Sequence, residues 1–445
     1  MSEHPPMLLQ LKPIKYIYPD VSRDRENLVF SKGSVIHMFC PGKTNRDKTK
    51  VIENGDIKVF TKTFSRKKNS NPGTSTLIEC LGINKFKLQN QAGIDLLQGT
   101  AIDDFKAVSC VGHQKGIHFG PIIKETNKNC LEKYDGNGKS IAIASISKIG
   151  YDLQLPTNEF LETIELCHDK STKNTLWAHS VIIPANQRGA RYPLKKEFNV
   201  RDYYVTSNQL KTAAKLLNNN HDLLKKYFLG PEGKVDKTFP KTGRYFDIGH
   251  LIAKADKFHE SEQSSTFFFE NALPMWNAIN RGIWSHIEDR IRRIAGDKSV
   301  VLDIWVGGIG VLELENVPFY LKPGSPNQVP VPKILYKVVI DTYNKEALVF
   351  LTVNNPNLSD SEVEDSKDEY IVCKTFDNCR DKLFTDSYEA KGYYYCCVLN
   401  DFYGKHAKNL GLLEKLEEYK DYSALTWSSD LFDEKLNAKK RTVDV

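Results

Sequence analysis

The chain has 445 residues, 40% of them hydrophobic and 27% charged, with 62 Lys and Arg against 56 Asp and Glu, a formal net charge of +6. That balance excludes a disordered tail, a collagen-like repeat and a coiled coil, and it supplies enough apolar material for a large core or about three domains. No apolar run of about 18 residues occurs, so no membrane helix is expected; the mild positive charge permits an anionic partner without demanding one.

In chain order, Met1-Ser-Glu-His-Pro-Pro-Met7 lacks the basic start and apolar stretch of a secretory signal. On that ground alone the chain reads as cytosolic, or as a mature or truncated form. Residues 1–160 read as an N-terminal β-rich module of short strands broken by Gly, Pro and Asn; Ser34–Phe39 and Asp56–Phe60 are examples. The basic stretch Ser65–Ser70 reads as a solvated loop. Gly42-Lys43-Thr44 is no phosphate loop, because His37 stands where the second glycine belongs. Leu176–Ile183 is a strand candidate, and Ser207 is placed to cap a helix with Leu210, Ala213, Ala214 and Leu217 on one face. Residues 277–295 carry the clearest helical period, Ile279, Ile283, Ile287, Ile291 and Ile294. Val300–Val306, Val338–Thr342 and Leu348–Thr352 read as strands, and the acidic Ser359–Glu369 as an exposed loop. Strands and helices without βαβ regularity point to an α+β fold.

Nine cysteines occur: Cys40, Cys80, Cys110, Cys130, Cys167, Cys373, Cys379, Cys396 and Cys397. None forms a CxxC pair, which argues against a zinc ribbon or a thioredoxin motif. Clustering towards both ends suits disulfides that staple peripheral segments, with buried free thiols as the alternative. The odd count leaves at least one thiol unpaired in a monomer. A single sequon, Asn357-Leu358-Ser359, carries little weight.

Three features crowd into about 45 residues: Arg244-Tyr-Phe-Asp-Ile-Gly-His250, Thr266-Phe-Phe-Phe-Glu-Asn271-Ala-Leu-Pro274, and Asn280-Arg-Gly-Ile-Trp284-Ser-His-Ile-Glu288. On a regular helix Asn280 and Glu288 project to broadly the same side, about 80° past two turns and about 12 Å apart. Both cannot ligate one ion directly; Asn280 could ligate while Glu288 reaches the ion's water shell. From spacing alone, Asn280 as a helix cap and Glu288 as a solvated charge remain open. Gly249 lets the chain turn tightly before His250, whose imidazole can take a proton from water near neutral pH.

These motifs resemble the DNA/RNA non-specific endonucleases with a ββα-metal core, and most of all their secreted insect branch, the double-stranded-RNA nucleases or salivary endonucleases. Gly249-His250, Thr266-Phe267, Asn271-Ala272, Pro274, Asn280, Gly282, Trp284 and Glu288 match the family pattern in order. Cys40-Pro41-Gly42, Val329–Pro332, Asn354-Asn355-Pro356 and Tyr395-Cys396-Cys397 are similar to the insect branch. The resemblance implies a mostly antiparallel central sheet, with the endonuclease domain over 161–445. It implies His250 as general base, Asn280 as the direct ligand of Mg²⁺ (with Mn²⁺ as an alternative), and Glu288 holding the ion's water. Arg191 is the match for a phosphate-contacting arginine. Arg244, Arg281 and Lys254 are further candidates for binding substrate. It implies DNA and RNA as substrates, double-stranded RNA included; the lack of a long apolar run adds the expectation of no membrane partner. The cysteine positions it shares with the secreted branch favour an extracellular origin. Two departures stand out. Ile248 occupies the place of the arginine that usually precedes Gly-His, and Met275 replaces a glutamine. The alternative that follows is a weakened or inactive paralogue that binds nucleic acid without cutting.

Overall fold

The computed structural model describes residues 120–136, 139–153, 159–187, 246–314, 317–322, 326–356, 358–376, 379 and 392–427, together with Tyr18, Ile17 and ten short strands before residue 112. Arg191, Arg244, the 207–217 helix, the 65–70 stretch and Asn357 lie outside the described residues.

The centre is a nine-stranded sheet. Its strands are β1 (Ile122–Tyr134), β2 (Ser140–Asp152), β3 (Phe160–Asp169), β4 (Asn174–Ile182), then β7 (Leu302–Val311), β8 (Pro332–Asp341), β9 (Glu346–Val353), β10 (Tyr394–Cys397) and β11 (Ser423–Ala424). They lie in that order from β1 to β10, and β11 pairs with β9. Every pairing is antiparallel except β9 with β11, so the expected α+β class with a mostly antiparallel sheet holds. β1 and β2 run 13 residues each, longer than the short strands expected there, and they pair into the same sheet as β3, which begins at residue 160.

Strict alternation along the strands makes two cores. Leu302, Ile304, Val306, Leu335, Val339, Leu348 and Phe350 face one side. Trp305, Tyr336, Val338, Ile340, Val349 and Leu351 face the other. The first side is covered by a hairpin of β5 (Phe246–His250) and β6 (Ala272–Trp276), and by the helix α2 (Ser285–Lys298). The second is covered by short helices that bring in Leu399, Phe402, Leu410 and Leu416. Neighbouring cysteines on β10 point to opposite faces, so Cys379–Cys396 closes the first core and Cys373–Cys397 the second. Cys130–Cys167 ties the edge strand β1 to β3.

The short helix α1 (Glu260–Ser265) lies between β5 and β6 and meets the N-terminal strands. Met7, Leu9, Tyr16 and Phe39 pack on Tyr151, Leu153 and Leu161. Tyr18 donates to Glu262 at 2.7 Å, and the Tyr151 hydroxyl donates to the Ser261 carbonyl at 2.6 Å.

The acidic stretch expected as a loop is helical over Asp360–Asp365 and Lys367–Tyr370. Ser359 and Glu362 cap each other's backbone there, and Val363 anchors the turn in the second core. That reciprocal cap satisfies donors that a loop would leave to water.

Candidate functional site

The site is built on a ββα unit, β5, β6 and α2. The hairpin register runs from Phe246 opposite Trp276 to His250 opposite Ala272. Phe246 and Trp276 are fully buried with ring centroids 4.3 Å apart, which fixes one end of the hairpin against the sheet. Asn354 secures it: its Oδ1 accepts from Trp276 N at 3.1 Å, and its Nδ2 donates to the carbonyls of Pro274 and Pro332. Gly249 has a different role from the expected tight turn. It is not among the positive-φ residues; instead a Cβ there would meet Met275 Sδ at 2.3 Å. Met275, one of the two departures from the family pattern, packs directly on the glycine.

Asn271 clamps the chain just past His250. Its Oδ1 accepts from Ile252 N at 3.0 Å, and its Nδ2 donates to the carbonyls of Ile252 and Thr266. Leu251 N donates to the Asn271 carbonyl at 2.9 Å. Fully buried, Asn271 trades water for a complete set of partners, which holds the strand end still.

The helix expected as continuous over 277–295 is broken. Asn277–Ile279 is one α-turn, Asn280–Trp284 is a π-helical turn, and α2 follows. Gly282, at φ −97 and ψ −117, makes the kink. The rotation worked out for a regular helix between Asn280 and Glu288 therefore does not apply. Wide π-turns of this kind recur at functional sites. Here the two turns together bring three side chains to one carboxylate. Asn277 Nδ2, Asn280 Nδ2 and Arg281 Nε each donate to Asp247 Oδ2 at 2.9 Å, and Arg281 Nη2 donates to Oδ1 at 3.3 Å. A carboxylate only accepts, so the amide nitrogen of Asn280 must face Asp247 and its Oδ1 must point away. The Arg281 side chain is 68% exposed even so.

His250 ends β5, half-buried, its ring edge-on to Phe267 at 5.1 Å. Burial pulls its pKa down to about 4; the nearby Asp256 carboxylate pushes the other way and Lys254 adds to the fall. The imidazole is therefore neutral at pH 7 and able to accept a proton. Lys254 opens the short turn Lys254–Asp256, four residues on.

Beneath the turn lies a buried charge cluster. Arg292 Nη1 contacts Asp256 Oδ1 at 2.6 Å, with side chains 6% and 0% exposed. Lys337 Nζ, fully buried on β8, lies 3.5 Å from Asp256 Oδ2 and 5.6 Å from the centre of the Trp284 ring. Burial alone would raise the Asp256 pKa, but Lys337 and Arg292 outweigh it and keep the carboxyl below its ordinary value. Burial works against the Arg292 charge, yet Asp256 and Glu288 hold its pKa above the ordinary value. Glu288 sits half-buried on α2, one turn before Arg292.

The structure thus sets His250, Lys254, Asn280, Arg281 and Glu288 on one ββα unit. Ile248, paired with Pro274, packs against the first core and carries no charge into the site. Sequence reasoning missed Asp247, Asn277, Asp256, Arg292 and Lys337. Of these only Lys337, a lysine within Ile334-Leu-Tyr-Lys-Val-Val-Ile340, broke an apolar pattern visibly. Among the described residues no three His, Cys, Asp or Glu converge as a metal cage. A hydrated Mg²⁺ with one carboxamide ligand needs no such cage, and Asn280 Oδ1, directed away from Asp247, is the kind of hard oxygen it prefers.

The DNA/RNA non-specific endonuclease family matches residues 144–402, more than half of the chain. The chain belongs to this family. It is 26% identical over 307 residues to a salivary endonuclease of Lutzomyia longipalpis, across 67% of this chain and 69% of that protein. It is 25% identical over 344 residues to salivary protein Tsal2A of Glossina morsitans morsitans, across 74% of this chain and 80% of that one. Among solved structures, EndoG in its complex with EndoGI aligns at a TM-score of 0.28 and 18% identity, covering 44% of this chain and 73% of that chain.

Proposed function

We propose that the chain is a Mg²⁺-dependent endonuclease that hydrolyses phosphodiester bonds in DNA and RNA, double-stranded RNA included. The observation that carries this reading is Asn280, its amide nitrogen locked on Asp247, which leaves its oxygen directed away from that carboxylate, on the same ββα unit as a neutral His250. Asn280 Oδ1 would hold the ion, and Glu288, on α2, would hold its water shell. When bound, the cation supplies Lewis-acid stabilisation of charge building on the phosphoryl and leaving oxygens. His250 takes the proton from the attacking water. Arg281, exposed beside Asn280, and Lys254 meet the phosphate; Arg191 and Arg244 are proposed for the same task. Contacts confined to phosphate and sugar carry little base information, which supports weak sequence preference.

The two-part organisation, an N-terminal β-rich module over 1–160 followed by the endonuclease domain over 161–445, is our proposal. Disulfides and the salivary names of the relatives support secretion.

Purified protein with Mg²⁺ should degrade plasmid DNA and double-stranded RNA, and His250→Ala should lower the rate by about 10²–10⁴-fold with the fold intact. Undiminished cleavage by that variant would reject the assignment. A second reading rests on Ile248, which puts an apolar group where the family pattern has an arginine. If the chain binds nucleic acid but does not cut, salt-sensitive binding should appear without product, and Ile248→Arg should raise cleavage sharply.

A further inference from the structure

We propose that Asp247 is a positioning residue that selects which face of the Asn280 carboxamide meets the metal; this rests on the metal site proposed above. Asp247 is 33 residues before Asn280 and its side chain is 13% exposed. Its four contacts are accepted from Asn277, Asn280 and, twice, Arg281. Three of these donors crowd Oδ2, which has about two lone-pair sites and is filled by the protein itself, while Oδ1 accepts only from Arg281 Nη2 at 3.3 Å. That argues against Asp247 Oδ2 as a metal ligand. The Arg281 guanidinium also balances its charge, so its contribution is direction rather than net attraction.

Direction matters because a carboxamide is two-faced. Its oxygen attracts a cation, and its NH₂ repels one. The backbone of the π-turn kinked at Gly282 sets where the Asn280 side chain leaves the chain, but not which way its amide is turned. The side-chain tie to β5 therefore sets its orientation. Partners of this kind, which orient a metal ligand without touching the metal, are typically worth about 10–100-fold in affinity.

The test uses the full chain with Mn²⁺ as the probe, read by water-proton relaxation without nucleic acid or turnover. Wild type should bind one equivalent, and Asp247→Asn should weaken binding by about 10–100-fold. Asn280→Asp removes the need for orientation, because both carboxylate oxygens accept. In that background Asp247→Asn should not weaken binding. Asp247→Glu keeps the charge but displaces it, so it too should lose at least about tenfold; it serves alone if Asp247→Asn fails to fold. Failure of wild type to bind Mn²⁺ would remove the metal site itself. If wild type binds and the Asp247 variants stay within threefold, the positioning role is wrong. Equal weakening by Asp247→Asn in both backgrounds would also overturn it, by making Asp247 a source of charge or a ligand.

Discussion

The two faces of the central sheet are stabilised by different physics. The face under β5, β6 and α2 buries Asp256, Arg292 and Lys337 among its apolar side chains. The opposite core is built mainly of apolar side chains, with Trp177, Tyr336 and Phe402 fully buried, Trp177 and Tyr336 each donating to a backbone carbonyl, and Cys373–Cys397 closing it. Apolar area holds elements together without fixing directions. Ion pairs and hydrogen bonds do fix directions, at a cost in desolvation that only full pairing offsets. A site that must hold an imidazole and a carboxamide in register belongs on the second kind of support.

Breaking the charged support should have the largest effect on stability. Asp256→Asn leaves Arg292 and Lys337 buried without their carboxylate. The expected loss is about 3–5 kcal/mol, read from the urea midpoint, with cleavage lost alongside because Asp256 lies next to His250. A near-neutral change would mean that water reaches the cluster. The opposite face should behave differently. Replacing Cys373 and Cys397 together by Ser opens a 24-residue span, with an expected cost of about 3 kcal/mol. At a temperature where this variant is folded, its kcat should match wild type. Lost kcat in the folded variant would show that the two faces are not separable.

The pH profile sharpens the same contrast. An exposed histidine would be half protonated near 6.5, but the His250 pKa is lowered to about 4 by burial. A general base works only unprotonated, so kcat/KM should hold from pH 7 down to about 5 and fall by half near 4. The stability sign agrees. The unfolded chain takes up this proton from about 6.5 downward while the folded chain does not. His250 therefore favours folding above 6.5, and that contribution is lost as pH falls towards 4. An acid limb near 6.5 would place the ring in water and weaken the case for a rigid face.

Much of the fold was legible because strands buried on both sides, such as Val300–Val306 and Leu348–Thr352, write long apolar runs. His250 and Asn280 were legible because their motif is short-range. Asp247 was printed inside that motif and still went unread. Its partners lie across a hairpin and a kink, and no local period reports a contact 30 or more residues away. The kink at Gly282 was hidden by the isoleucine repeat itself, which continues through the π-turn because Ile279 and Ile283 stay buried on either side.

The Asp360–Asp365 helix is the smaller case of the same kind, and it supports the smallest prediction. Its acidic composition suggested a solvated loop, yet Ser359-Asp-Ser-Glu362 is a capping signature. Ser359 N donates to Glu362 Oε2 at 2.8 Å, and Glu362 N donates to Ser359 Oγ at 3.3 Å. Those bonds help hold the segment helical, together with Val363 seated in the apolar face and the Tyr393 hydroxyl donating to Glu364 Oε1. Ser359→Ala should raise amide exchange over residues 362–366 about fivefold, corresponding to about 1 kcal/mol of local opening. Cleavage should be unchanged, because this helix packs on the face away from His250. A loss of activity here would mean that the apolar face also positions the site.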